Sequence, residues 1–242
     1  MFLKNIQLLT FDVHNVLLTI RNGAASQYAR LARQHIKRPS IDEALLRPRL
    51  IKAFQTLNRT YPGYGIHHEI SSRQWWTLLI DQTFADYRLT SDELQRLGTI
   101  IYDEFAKGEL WIKHPQADHV LNELSKRYVL GAISNFDERL ESLLEQHQLR
   151  SYFRFVLTPR TCGFYKPQKE IFIHAMQQMN LKSNEAMCHI GDDIQLDYNA
   201  AKAAGCRALL LVKDESSKQK LIDEHATIPS TDVLLDLTEL LD

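Results

Sequence analysis

Several features that would direct a reading of this sequence are missing. Charge of one sign is not in excess: 29 Lys and Arg stand against 30 Asp and Glu in 242 residues, which leaves no electrostatic footprint for nucleic acid or an anionic membrane surface. The three cysteines, Cys162, Cys188 and Cys206, are an odd set without a C-x-x-C pair. That spacing argues against both a disulfide framework and a zinc site. No apolar run approaches the roughly 18 to 20 residues of a spanning helix. The opening "MFLKNIQLLTFDV" has a single lysine, no cleavage-site pattern and an acidic residue near its end. It therefore reads as no secretory signal, and the cytosol is the expected location. There is no internal repeat and no low-complexity tract. What remains is a chain with 44% hydrophobic residues, enough for a sizeable core. Its near-neutral charge suits a small or locally charged substrate better than a large polyanion.

The patterning of that apolar content predicts an α/β fold. From residue 115 onward, short apolar runs alternate with amphipathic segments, as in a parallel sheet with crossover helices. Strands are expected at "YVLGAIS", "FRFVLT", "AMCHIG" and "RALLLV", with helices near 137–149, 168–180 and 195–205. "QLLTFDV" supplies a first strand from far away in sequence. Residues between these parts read as almost wholly helical. In "SSRQWWTLLIDQTF", Ser71 and Gln74 form the pattern of a capping box, while Trp76, Ile80 and Phe84 recur at fourfold spacing. Spacing of that kind puts Trp75 and Trp76 in a helical core before it makes them a substrate-facing wall. "YPGYG" is expected to be a loop holding His67 and His68 close by, and "GELWIKHPQA" to return the chain to the sheet. The tail "TDVLLDLTELLD" reads as an amphipathic helix packed on the core. The expected architecture is a Rossmann-like, doubly wound parallel core formed by residues 1–18 and 113–242, with a helical cap, residues 19–112, inserted after the first strand.

Open parallel α/β sheets bind ligands outside the carboxyl ends of their strands. Four such places carry polar residues here: Asp12 after "LLTF", Ser134 and Asn135 after "LGAI", Lys166 in "CGFYKP", and Asp192 with Asp193 after "CHIG". Carboxylates gathered at one edge repel and desolvate at a cost, so a stabilising role does not explain them. A divalent cation resolves the repulsion. Mg²⁺ prefers about six oxygens and is commonly held by one or two carboxylates with substrate phosphate and water. Asp12 and Asp192 suit it. With Lys166 and a metal neutralising a phosphoryl group, Asp12 could act as a nucleophile while Ser134 holds a phosphoryl oxygen.

"FDVHNVLL", "ISN", "YKP" and "GDDIQLDYNAAKAAG", in this order and with a helical insertion after the first, resemble the four motifs of the haloacid dehalogenase superfamily. The resemblance implies a hydrolase, Mg²⁺ as cofactor and a small phosphorylated metabolite as substrate, with no nucleic acid or membrane partner. It implies Asp12 as nucleophile and metal ligand, Ser134 and Asn135 as the phosphate-binding pair, Lys166 as the neutralising lysine, and Asp192 as the distal metal carboxylate. Asp193 is a further ligand or a helix cap, and Asp197 braces the loop. Asn135 and Ser134 also suit capping of a helix near Asp137, and Arg73 and Arg139 are candidate anion contacts from cap and core.

The departure from the pattern is His14, where phosphatases of the superfamily usually carry a second Asp that protonates the leaving oxygen. Loss of a general acid/base removes about 10² to 10⁴ in rate. Three readings of His14 stand open. It replaces the Asp, because imidazole titrates near neutrality, and shares in the metal site; the site runs another displacement; or the chain is a degenerate member that binds phosphate or regulates.

Overall fold

The computed structural model describes residues 3–36 and 41–241. Contacts divide the chain into two compact units. The first holds residues up to Leu18, Lys113–Asn135 and His147 onward; the second holds Thr19–Ile112 and Phe136–Gln146. Phe136–Gln146, placed in the core by the sequence reading, groups instead with the helical unit.

In the first unit, β1 (Leu8–Phe11), β4 (Val129–Ile133), β5 (Phe155–Leu157), β6 (Met187–Gly191), β7 (Arg207–Leu211) and β8 (Val233–Leu234) form one six-stranded sheet in the order β5-β4-β1-β6-β7-β8. Every pairing in it is parallel. All four residues of β1 are buried, as both faces of a central strand must be when helices cover the sheet. The chain runs outward from β1 to β4 and β5, then crosses back to β6 on the other side of β1. That reversal makes the carboxyl end of β1 a topological switch point, where such sheets place ligands. Helix Glu170–Gln178 turns Ile171, Phe172, Ala175 and Met176 into a core that also holds Tyr198, Ala201 and Leu210. Gly131 in β4 is required by packing: a Cβ there would stand 2.4 Å from the Phe155 ring. This is a Rossmann-like α/β core.

Three details differ from the sequence reading. The tail is the edge strand β8 followed by the 3₁₀ turn Leu237–Leu241 rather than one amphipathic helix, since Val233 and Leu234 find β7 to pair with. Asp242 lies outside the described residues. The expected helix at 195–205 opens as a π-helical segment, Ile194–Asn199, before Ala200–Ala203. A short ribbon of β2 (Leu18–Ile20) and β3 (Trp111–Lys113), not foreseen as paired, lies where the chain passes from one unit to the other and back. Among the described residues, no helix is long and apolar enough to cross a membrane.

The second unit is built on helices Ala24–His35, Glu43–Thr60, Ser72–Phe84 and Ser91–Glu104. Capping fixes where three of them begin: Asp42 accepts from the Ala44 N–H, and Ser71 with Gln74 and Thr90 with Glu93 complete capping boxes. Trp75 is fully buried, its Nε1 donating to the Tyr61 carbonyl at 2.9 Å, whereas Trp76 is only partly covered. The core stripe is therefore carried by Trp75, Leu79 and Ile80 rather than led by Trp76. "YPGYG" forms a tight helical turn in which Gly63 and Tyr64 adopt positive φ.

Arg139 lies in this helical unit and is already engaged. Its Nε donates to Asp137 Oδ1 at 2.8 Å and its Nη2 to Oδ2 at 2.5 Å, while its guanidinium lies 3.9 Å from the Tyr102 ring centroid. Trp76 Nε1 completes Asp137 at 2.6 Å. Arg73 is bound to Asp103 at 2.8 Å. Neither arginine is left as an uncommitted anion contact.

Candidate active site

Parallel register brings the polar strand ends to one level. Phe11 lies opposite Ala132 of β4 and Ile190 of β6, so the chain leaves the sheet at Asp12, Ser134 and Asp192 within one or two residues of the same line. The N–H of Asp12 still donates to the Ile190 carbonyl at 2.8 Å, and that of Ser134 to the Leu157 carbonyl at 3.0 Å. Both side chains are thus carried on backbone held by the ladder. Asp12 and Ser134 are buried, at 7% and 2% exposure.

Lys166 is aimed into the group by Asn135. The Asn135 side chain donates to the Lys166 carbonyl at 2.7 Å and accepts from the Lys166 N–H at 2.8 Å. Its role in the structure is to hold the lysine loop rather than to cap a helix, because the next helix begins only at Leu140. Lys166 Nζ lies 2.5 Å from Asp197 Oδ1 and 3.0 Å from Asp12 Oδ1. Burial alone would lower the lysine's pKa, but the carboxylates of Asp12 and Asp197 outweigh it and raise it. The ammonium stays charged.

Asp197 is fully bound. Oδ1 takes Lys166 and His189 Nε2 at 3.0 Å, and Oδ2 accepts the N–H groups of Asp192 and Asp193 at 3.1 and 3.0 Å. Burial works to raise its pKa, yet the lysine charge and the histidine hydrogen bond hold its carboxyl well below the usual range. Gly191 makes this fit possible, since a Cβ on it would come 2.1 Å from Asp197 Cγ.

Asp12, Asp192 and Asp197 can each bring a carboxylate oxygen within 4.8 Å of the others. These three carboxylates face one ammonium, which leaves a deficit of two positive charges when all are ionised. Two of them retain capacity for a ligand. Lys166 Nζ stands 3.0 Å from the buried Asp12 Oδ1 as an ion pair, and among the described residues that oxygen has no other partner. Asp192 accepts from Asn15 Nδ2 at 2.8 Å through Oδ2 alone. Burial, followed by repulsion from Asp12, pushes its carboxyl up to about 7. Hard oxygen donors with uncompensated negative charge fit Mg²⁺.

Neither His14 nor Asp193 belongs to this close group. Asp193 is exposed and spends Oδ1 on the N–H groups of Gln195 and Leu196, both at 2.8 Å. Asp193 thus caps the helical segment that follows it. His14 is partly buried beside Asp12, and burial, opposed by the Asp12 charge, lowers its pKa. The sequence reading passed over Thr10, His189 and Gly191. The one available signal was a histidine inside the otherwise apolar run "AMCHIG".

An α/β sheet with a nucleophile-type carboxylate at its switch point, a buried lysine and a second acidic turn defines a hydrolase-type site. The chain belongs to the haloacid dehalogenase-like hydrolases, whose family model matches residues 6–205. It is 32% identical over 243 residues to the Bos taurus haloacid dehalogenase-like hydrolase domain-containing protein 3, covering 98% of this chain and 95% of that protein. Its fold is similar to that of the HAD-hydrolase YfnB of Bacillus subtilis, solved bound to magnesium, with TM-score 0.74, 19% identity and 98% and 97% of the two chains covered. It is also similar to a 2-haloacid dehalogenase of Pseudomonas syringae pv. Tomato DC3000, with TM-score 0.68, 22% identity and 98% and 96% covered.

Proposed function

We propose that the chain is a Mg²⁺-dependent, cytosolic phosphatase of small phosphomonoesters that works through an aspartyl-phosphate on Asp12. The observation that carries this reading is the group of three carboxylates, Asp12, Asp192 and Asp197, whose oxygens lie within 4.8 Å of one another beside the one ammonium of Lys166, 3.0 Å from Asp12 Oδ1, and which is short of two positive charges when all are ionised. Asp12 and Asp192 would hold the metal, which supplies positive charge that draws a phosphoryl group to the site and stabilises the charge developing on it.

In the first half-reaction an Asp12 carboxylate oxygen forms a bond to phosphorus and the bond to the alcohol oxygen breaks. The leaving alkoxide takes a proton from the imidazolium form of His14. In the second, water attacks the acyl phosphate, releases inorganic phosphate and restores the carboxylate. Lys166 neutralises the phosphoryl oxygens and Ser134 holds one of them, with Asn135 keeping the lysine loop in place. His14 substitutes for the usual acid/base Asp. Neutral once it has given its proton to the leaving oxygen, the imidazole takes one back from the attacking water, and a pKa lowered by burial favours this proton-accepting form. The near-neutral net charge of −1 favours small metabolites over polyanions.

Phosphate release from a panel of phosphomonoesters with Mg²⁺, run on the wild type and Asp12→Asn, tests the reading. Turnover abolished by the substitution is expected. Wild-type protein that binds Mg²⁺ but releases no phosphate would overturn it in favour of a degenerate member that binds phosphate or regulates, the reading that His14 in place of an acid/base Asp supports.

A further inference from the structure

His189 has no part in the reaction as set out above, yet it occupies a costly place. It is fully buried in β6, with the Phe172 ring edge-on at 5.0 Å. Its Nδ1 lies 2.9 Å from Thr10 Oγ1 and its Nε2 3.0 Å from Asp197 Oδ1. Thr10 and His189 are directly paired across β1 and β6, so the sheet itself sets the first of these contacts. Burial lowers the pKa of the imidazole against the opposing Asp197 bond, and the ring is neutral. An ionised Asp197 can only accept, so the ring's proton sits on Nε2 and Nδ1 accepts from the Thr10 hydroxyl.

A polar chain of this kind is expensive in a core, and an apolar side chain of similar volume would pack there at no such cost. What it supplies is control of Asp197. Oδ1 of that residue is shared between His189 and Lys166, and Lys166 is in turn shared between Asp197 and Asp12. Donation from His189 fixes Oδ1 and, through it, the ammonium that stands 2.5 Å from Asp197 and 3.0 Å from Asp12, while Asp197 Oδ2 stays turned to the Asp192 and Asp193 N–H groups.

We propose that His189 is a positioning residue that, through Asp197, aligns Lys166 and the Asp192 turn with Asp12; the inference rests on the phosphatase reading for its kinetic consequences only. Removing partners that orient a site costs about 10- to 100-fold in metal affinity or activity.

The test compares wild type with His189→Leu, His189→Gln and Thr10→Val. Mg²⁺ affinity is read from melting-temperature titrations with and without inorganic phosphate, and kcat and KM on whichever phosphomonoester the wild type hydrolyses. His189→Leu is expected to lower kcat and Mg²⁺ affinity by about 10- to 100-fold with KM changed less. His189→Gln, whose amide N–H can stand in for Nε2, is expected to recover most of both. The ¹⁵N spectrum of the wild-type ring should show the Nε2–H form at neutral pH. Folded His189→Leu with wild-type kcat and Mg²⁺ affinity, a Gln variant no better than Leu, or an Nδ1–H ring would each overturn the inference. Should His189→Leu not fold, weaker Mg²⁺ binding in Thr10→Val supports it and unchanged binding overturns it. Absence of wild-type turnover would defeat the phosphatase reading alone, because Mg²⁺ affinity and the ring tautomer still decide the role of His189.

Discussion

Among the described residues, two clusters that bury charge are built to opposite ends. In the helical unit, Asp137 meets Arg139 through two side-chain hydrogen bonds, receives Trp76 Nε1 as well, and balances one negative charge with one positive. In the α/β unit, Asp12, Asp192 and Asp197 gather with Lys166 as their one cation among the described residues, and Asp12 Oδ1 has that ammonium at 3.0 Å as its partner. The first is a closed structural pair. The second is open in charge, so its residual negative potential is free to be met by something the chain does not carry. A buried ion pair is therefore a poor sign of function by itself; the imbalance is what distinguishes the two.

Breaking each cluster at its cation gives the largest expected effect. Arg139→Met and Lys166→Met each strand buried carboxylate, at about 3–5 kcal/mol of stability. The comparison predicts that Mg²⁺ restores part of the melting temperature of Lys166→Met and none of that of Arg139→Met, as read by thermal unfolding with and without the ion. Wild type itself should gain about 2.7 kcal/mol at an ion concentration 100 times the Kd, and Asp192→Asn should lose most of that gain.

Gly191→Ala comes next. A Cβ 2.1 Å from Asp197 Cγ forces the carboxylate away from the Asp192 and Asp193 N–H groups. Overpacking of this kind costs about 1–3 kcal/mol, and Mg²⁺ affinity measured by calorimetry should fall with it.

Acid sharpens the contrast further. The Asp197 carboxyl is held below its ordinary value, so the folded state prefers it ionised; the stability this adds is present above the unfolded pKa of about 3.9 and is lost as pH falls through the folded value. Urea midpoints should drop more between about pH 6 and pH 3 in the wild type than in Asp197→Asn. The smallest effect concerns His14. With Mg²⁺ saturating, kcat should rise with pH through an inflection on the acid side of 6.5, and that inflection should vanish in His14→Ala. His14→Asp should keep equal or higher activity; a large loss there would count against His14 as the acid/base.

The legible parts of the site were those that sit directly at strand ends. Asp12, Ser134 and Asp192 each follow an apolar run, and the run announces both the strand and the edge at which the polar residue emerges, whereas Lys166 lies in the loop beyond β5 and was legible by its "YKP" motif. Asp193 was ambiguous because an acidic residue before a helix serves capping and metal ligation alike, and only the 2.8 Å contacts to Gln195 and Leu196 settle its use in capping. His189 was obscured for a different reason. Its partners, Thr10 and Asp197, are brought to it by strand pairing across 179 residues and by a close approach over Gly191, neither of which leaves a local pattern.

By itself the sequence determined the parallel α/β core, the helical insertion and the order of the motifs, because apolar periodicity and capping residues act over a few neighbouring positions. The tertiary structure alone decided that Phe136–Gln146 groups with the helices, that Arg139 is closed by Asp137, and that Asp197 joins Lys166 and His189 in one buried network. Those outcomes depend on which distant side chains share a low-dielectric interior, where an unbalanced charge or an unfilled hydrogen bond carries a cost that no local stretch of chain can express.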